Sequence, residues 1–523
     1  MRTVSRGDVK KSNAASRRVG RLAPETKSVR RKKPATQQLL PPSTNLPNIR
    51  VRMYRQGLGD CFLLTFNLGR EETHILIDCG TLGWKTTDVK LPDVIADIDK
   101  TTNGRLHLVV ATHQHQDHLS GFPQLSDLFS SANQKQIDNV WLAWTEDPED
   151  PDARELTKAR DDMAIAVKTA AQALQTTDRN SETAEAMESL LGFFGVNSVI
   201  PSPSGRADAV MFAAAARTSM DIARGLAKKP AYLSPGEPPI EPDWLPGFRF
   251  YVLGPPRDIN AIHDTGAHGS SELYGLTALV RSLGRGSSWF YGHSRLSIED
   301  ASTENAFRNY FDPAESWRRI DNDWVNAASS LAIHLDKFTN NSSLVLAIER
   351  VADGKVLLFP GDAQEGNWLS WQGPKMQWHV NMPDGKAATV TAKDLLARTV
   401  FYKVSHHSSH NATAKAKGLE MMTSESELTA FIPVDRQVAL GRSPAGTWKM
   451  PARQLYRRLL DKCQGRVVRS DIGWAANVKQ GTKGTEAEFI ALGTDAEWAA
   501  WTKSQQAATR VQIEANHIDF MLE

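Results

Sequence analysis

Cysteine is scarce in this 523-residue chain: only 3 occur, Cys61, Cys79 and Cys463. An odd number with no C-x-x-C pair excludes a disulfide framework and a thiolate zinc knuckle, and fits a reducing, cytoplasmic compartment. Long apolar runs are missing as well. No stretch of about 18 apolar residues is present, and no apolar segment of signal-peptide length follows the basic N-terminus, so the expectation is a soluble protein without a membrane partner. The chain has no internal repeat and no low-complexity segment outside its N-terminal tail. Net charge is nearly absent too, at +2, yet that small sum conceals an uneven distribution.

Residues 1–47 carry Lys and Arg from Arg2 through the run Arg30-Arg31-Lys32-Lys33, against only Asp8 and Glu25. Such a basic, polar segment with few aromatics cannot bury enough surface to offset its ordering entropy and is expected to be disordered. It could grip nucleic-acid phosphates through counterion release, or simply keep the protein in solution. A Pro-rich linker from Leu40 to Pro47 closes it, and the pattern then changes to short β-type runs bounded by Gly and Asp. Strands are predicted at 49–54, 61–66, 74–78 and 106–112, the last running straight into a histidine cluster. From about 147 to 230 the sequence is Ala-rich with helical periodicity, at 153–175, 181–191 and 207–227. Strand-like segments return at 248–253, 343–348, 355–359 and 399–404, with a Gly- and Ser-rich, loop-like stretch around 266–288. Composition is globular, 41% hydrophobic and 23% charged, with 14 Trp to furnish a large core. The expected organisation is a tail over 1–47 and one folded body over 48–523, with an insertion over about 147–336 that is helical in its first part. Following the histidine cluster so closely, that insertion is expected to cap the site opening, a remote decoration being the alternative.

Chemistry concentrates in Thr112-His113-Gln114-His115-Gln116-Asp117-His118, directly after the apolar run Leu108-Val109-Val110-Ala111. A polar cluster at the C-terminal end of a buried strand is where α/β sheets hold their ligands. Three imidazoles and a carboxylate so close together suit a borderline divalent cation such as zinc, which takes nitrogen and carboxylate oxygen at about 2.0–2.2 Å. In an extended segment His113 and His115 point the same way and can share one ion, leaving Asp117 and His118 on the following turn to face a second. Further along, Lys355 to Phe359 reads as a strand leading into Pro360-Gly361-Asp362, and Phe401 to Val404 as one leading into Ser405-His406-His407-Ser408-Ser409-His410. Which of His406 and His407 binds metal is left open, because alternation no longer fixes direction once the strand has ended. The other would contact substrate, move a proton or act as an outer partner.

His-x-His-x-Asp-His after a hydrophobic strand resembles the signature of the metallo-β-lactamase superfamily. That resemblance implies an α/β fold of the αββα sandwich type and two divalent metal ions, zinc foremost, with manganese and iron as the other candidates. It also implies Asp362 as the bridging ligand and one of His406 and His407 as the last. Arg55-Gln56-Gly57-Leu58-Gly59-Asp60-Cys61, Ile75-Leu76-Ile77-Asp78-Cys79-Gly80, the run from Asn340 to Val345, Gly361-Asp362 and His406-His407 narrow the likeness. Together they resemble the hydrolase domain of the ComEC competence proteins, without that family's membrane channel, and Arg466 to Asp471 resembles the strand that closes the domain. In that family the carboxylate matching Asp78 orients a metal-binding histidine or its loop, which makes Asp78, with Asp60 beside it, an outer partner here. Two departures stand out. The usual Gly after the paired histidines is Ser408, and the superfamily's mid-chain histidine has no clear counterpart, leaving His263, His268 and His293 as substitutes.

The implied activity is hydrolysis of a phosphodiester, as a phosphodiesterase or nuclease, by a metal-bound hydroxide. Asp117 would orient or deprotonate the water, His407 would share the catalytic work, and Asn341, Ser408 and His410 would contact the substrate, with nucleic acid held partly by the basic tail. Two other readings stay open on the same residues: hydrolysis of a thioester, lactone or lactam, and a metal-binding regulatory module without turnover.

Overall fold

Apolar residues on both faces of short extended segments make most of the long strands dividers between two cores. In order, the strands are β1 (Asn48–Tyr54), β2 (Cys61–Asn67), β3 (Glu72–Cys79), β4 (Arg105–Leu106), β5 (Leu108–Ala111), β6 (Gln136–Ile137), β7 (Val140–Ala143), β8 (Ala231–Leu233), β9 (Phe248–Gly254), β10 (Val345–Arg350), β11 (Lys355–Phe359), β12 (Gln377–Asn381), β13 (Ala387–Thr391), β14 (Thr399–Lys403), β15 (Thr429–Ile432), β16 (Val467–Arg469), β17 (Gly473–Trp474), β18 (Val511–Ile513) and β19 (His517–Leu522). The computed structural model describes residues 46–69, 71–177, 192–194, 219–263, 323–441, 448–479 and 486–523, all within the unit Leu46–Glu523. The tail over 1–45, the helix expected at 181–191, most of that expected at 207–227, the stretch 266–288, His268 and His293 lie outside the described residues.

The chain is mixed α/β. Eight strands form one sheet in the order β18-β19-β1-β2-β3-β5-β7-β8, and seven form another in the order β17-β16-β15-β14-β11-β10-β9. One alternate set of side chains from each sheet meets in a shared core: Val51, Phe62, Leu64, Ile77 and Val110 from the first, Phe250, Leu346, Phe359, Phe401 and Phe431 from the second. Edge-to-face contact of Phe62 on Phe359, ring centroids 5.7 Å apart, crosses between the sheets. The other alternate set points outward. Leu63, Leu76 and Val109 pack with Val94 and Ile98 of helix Leu91–Thr102. Leu358, Tyr402 and Ile432 pack with Trp368, Leu395, Leu459 and Trp498 of the helices that cover the second sheet. Each sheet is therefore buried on both faces, which is why so many strands read as continuous apolar runs.

Several boundaries depart from sequence expectation. The stretch 106–112 divides at His107, because β4 pairs with β6 in a small separate sheet while β5 joins the large one. Asn340 and Asn341 end a helix, Asp323–Asn341, and the strand expected from Ser343 starts later, at Val345. The segment Arg466 to Asp471 contains β16, which is followed at the sheet edge by β17. Helix Pro151–Thr177 spans the first helical pattern and packs against helix Asp323–Asn341. Among the described residues, no helix is long and apolar enough to cross a membrane.

Candidate metal centre

One edge of the paired sheets collects the ionisable side chains, because several parallel strands end there. β3, β5 and β7 are parallel to one another, as are β11, β14 and β15. Antiparallel pairing sets Cys61 opposite Cys79, so Asp60 before β2 and Asp78 near the end of β3 share that edge. The segment after β5 carries His113, His115, Asp117 and His118, that after β11 carries Asp362, and β14 delivers Lys403 and then His406 and His407.

Asp78 fastens the segment that follows β5. Its carboxylate accepts from the Thr112 backbone N–H at 2.8 Å, the Thr112 hydroxyl at 2.7 Å and His118 Nδ1 at 2.7 Å. Gly80 permits the approach, since a Cβ there would stand 2.4 Å from the Asp117 carbonyl carbon and 2.5 Å from the His118 nitrogen. With its Nδ1 proton given to Asp78, His118 turns Nε2 inward. His407 is arranged alike, donating Nδ1–H to the Pro433 carbonyl at 2.7 Å and aiming Nε2 at the centre. Such outer bonds fix the tautomer of a metal-binding imidazole.

Inside, His118 Nε2 lies 3.1 Å from Asp362 Oδ2 and 3.7 Å from Asp117 Oδ2. His407 Nε2 lies 2.7 Å from Asp117 Oδ2 and 3.5 Å from Asp362 Oδ2. Burial would lower the pKa of both imidazoles, but facing carboxylates outweigh it: Asp362, Asp60, Asp78 and Asp117 hold His118 well above the usual range, and Asp362 with the bond to Asp117 raises His407. Burial would raise Asp362, yet Lys403, His118 and His407 hold it well below the carboxylate range. His113 and His115 behave oppositely. Burial, reinforced by His118, keeps His113 well below its usual value, and burial takes His115 down to about 4, so both are neutral. His113 Nε2 and His115 Nδ1 are 3.1 Å apart, close to the roughly 3.3 Å expected of two nitrogens on one tetrahedral ion.

Not every expected residue joins the cluster. His406 turns aside: its Nδ1 meets Gln364 Nε2 at 3.1 Å and Ser409 Oγ at 2.8 Å, and its Nε2 faces the Asn340 amide at 3.4 Å. Only its backbone N–H reaches the site, donating to Asp362 Oδ1 at 3.0 Å. The reversal arises from left-handed backbone at successive residues, φ 40° at His406, 49° at His407 and 65° at Ser408. Asn341, expected at the substrate, has its amide in the scaffold, with Oδ1 accepting from the backbone of Gln364 and Asn367. Ser408 Oγ is buried without a partner, and His410 is partly buried, its pKa driven to about 4 by burial and Lys337. His263 stacks on His334 at 5.6 Å, with His334 Nε2 3.4 Å from its Nδ1. Asp60, expected as an outer partner, lies within the cluster itself. Lys403 went unsingled by sequence reasoning, although a charged residue ending the run Thr399-Val400-Phe401-Tyr402 is the signal that could have found it.

Residues of the expected insertion also touch the segment that follows β5. Gln114 donates to Glu146, which pairs with Arg160 of helix Pro151–Thr177. Phe193 and Phe194 lie against His115, with ring centroids 5.3 Å and 4.8 Å away.

Five polar atoms in this buried cluster have no hydrogen-bond partner: Asp60 Oδ1, His115 Nε2, Asp117 Oδ1, His118 Nε2 and Asp362 Oδ2. Buried polar atoms are nearly always paired, so the partnerless carboxylate oxygens and His118 Nε2 fit a cation, while His115, if it used Nδ1 toward an ion, would carry its proton on Nε2. Asp60, His118, Asp362 and His407 each offer one ligand atom, all within 4.8 Å of one another, and could hold a metal ion. In comparison with known proteins, the chain matches no family model and no curated protein.

Proposed function

We propose that this chain is a metal-dependent hydrolase of the metallo-β-lactamase fold, acting on phosphodiesters as a phosphodiesterase or nuclease. What carries the reading is the set of buried, partnerless donor atoms at the edge where two face-to-face sheets end. Support for the fold comes from the layer order, with helices outside two large sheets, which is that of an αββα sandwich. The donors would take two divalent ions, with His113 and His115 serving one, Asp117, His118 and His407 the other, and Asp362 both. Zinc suits nitrogen and carboxylate donors best, and manganese or iron is the alternative.

Bound there, divalent ions would lower the pKa of a coordinated water and offset charge gathering on phosphoryl oxygens. The chain's own groups would do the rest. Asp117 Oδ1 is buried and unpartnered, free to orient an attacking water or take its proton. His407 Nε2 and Asp117 Oδ2, 2.7 Å apart, face each other closely enough to be presented to the same ion. Asp78 and Pro433 keep the inward nitrogens of His118 and His407 aimed throughout.

The test is elemental analysis of the purified protein alongside an activity screen on bis-p-nitrophenyl phosphate, single-stranded DNA, duplex DNA and RNA, with a chromogenic lactam and a thioester as contrasts. Metal close to two ions per chain and phosphodiester turnover are expected, and Asp362→Ala should lose both ions and about a hundred- to a thousandfold in rate, as removal of a central charge-stabilising group does. Less than one ion after careful reconstitution, or turnover of the lactam or thioester alone, would overturn the reading.

A further inference from the structure

Lys403 is the feature of the centre that the hydrolase reading leaves unused. It ends β14, its side chain is 1% exposed, and its ammonium meets three acceptors: Asp60 Oδ2 at 2.5 Å, Asp362 Oδ1 at 3.0 Å and the Gly361 carbonyl at 2.7 Å. An ammonium has three protons, so its donor capacity is filled. A fixed positive charge thus stands inside a cluster built from cation-binding groups.

Its placement sorts the carboxylate oxygens. Asp362 Oδ1 receives both the ammonium and the His406 backbone N–H, while Asp362 Oδ2 receives no hydrogen bond and faces His118 Nε2 and His407 Nε2. Asp60 is claimed through Oδ2, its backbone N–H is tied to the Asp117 carbonyl at 2.9 Å, and its other oxygen, Oδ1, which receives no hydrogen bond, lies nearest the outward nitrogen of His407, Nδ1, at 3.7 Å, as Oδ2 lies nearest the outward Nδ1 of His118 at 3.8 Å. Distance alone groups Asp60 with His118, Asp362 and His407; orientation separates them, because both carboxylates meet the ammonium but only Asp362 turns its free oxygen to the inward Nε2 atoms. We propose that Lys403 is a positioning residue that keeps Asp60 away from the metal and divides Asp362 into one lysine-facing and one metal-facing oxygen. The ion beside it is then held by Asp117, His118, Asp362 and His407. This rests on the reading of the centre as a metal site, but not on any substrate.

The experiment uses the full chain loaded with Co2+, whose visible absorption reports ligand number and type, together with chelator competition for affinity. Asp60→Asn should keep the wild-type band positions and ion count. Lys403→Met, which strands two carboxylate oxygens beside the ion, should alter the bands and weaken affinity roughly 10–100-fold, the usual effect of losing an outer partner. Lys403→Met combined with Asp60→Asn removes the ammonium with its main counter-charge and should move the spectrum back toward wild type, a non-additivity expected only of direct partners. The double variant also serves if Lys403→Met alone fails to fold, since removing both members of a buried pair is better tolerated than removing one. A changed spectrum or a lost ion in Asp60→Asn would make Asp60 a ligand and overturn the proposal while leaving the hydrolase reading intact. Failure of the wild-type chain to bind Co2+ would remove both.

Discussion

Two of the buried charge clusters among the described residues are finished to different degrees. Around Arg469 every charged group has its match: the guanidinium gives two bonds to Asp471, at 2.9 and 2.6 Å, and two to Glu486, at 2.9 and 3.2 Å. Asp471 takes further bonds from the backbone of Arg436 and Ile472. Around Asp362 the side chains are as deeply buried, yet five atoms are left without partners. Both clusters bear the desolvation cost of buried ions, but only the first offsets it from within. A satisfied cluster is complete as a structural device, whereas an unsatisfied one of lone-pair donors is shaped for something that arrives later.

That contrast can be broken most forcefully at Arg469. Replacing it with Met leaves Asp471 and Glu486 buried with the loss of their main cation, and should cost about 3–5 kcal/mol of stability by urea unfolding. The metal content of the folded fraction should not change; if it falls, the two clusters are not independent.

Acidification sharpens the comparison with an effect on the order of 2 kcal/mol per buried neutral imidazole. His115 has its pKa brought down to about 4 and His406 to about 3, both by burial first, while an unfolded histidine titrates near 6.5. Between those values the unfolded chain binds more protons, so stability present above pH 6.5 is lost as pH falls toward 4. His118 and His407, whose pKa values are raised, contribute oppositely, with stability present below pH 6.5 and lost as pH rises through their folded values. Unfolding midpoints of metal-free protein at pH 7.5 and 5 should show the acid loss shrink in His115→Asn and persist in Arg469→Met. Equal slopes in wild type and His115→Asn would contradict this account.

The smallest expected change is at Ser408. Its φ of 65° lies in the left-handed region and its hydroxyl is buried without a partner, so Ser408→Gly should gain about 1 kcal/mol at unchanged ion count. A loss of stability there would mean that the hydroxyl has a role the backbone conformation does not reveal.

These contrasts also explain what was legible in the sequence. His113 to His118, Asp78 and Asp362 stood out because each follows or ends an apolar run, where side-chain chemistry is no longer dictated by packing. His406 and His407 could not be separated, since alternation presumes extended backbone and both residues leave it. Asp60 and Lys403 meet only through folding, 343 positions apart in the chain by their numbers, so no local pattern joins them. β18 and β19 were not anticipated either. Val511–Ile513 is only 3 residues long, and His517–Leu522 includes Asp519, whose charge interrupts an apolar reading but is matched by Arg52 at 2.9 Å.

That last pairing bears on how the protein is made. β19 lies alongside β1, Ile49 opposite Leu522 and Tyr54 opposite His517, and the bond from Arg52 to Asp519 spans 467 positions. At about 5–20 residues per second a ribosome needs roughly 25–90 s to deliver the second strand after the first. Throughout that interval the outer edge of β1 offers unpaired N–H and C=O groups to any neighbouring chain, the usual template for wrong association. Closing the first sheet is therefore a late and concentration-sensitive event, governed by crowding on the polysome as well as by stability.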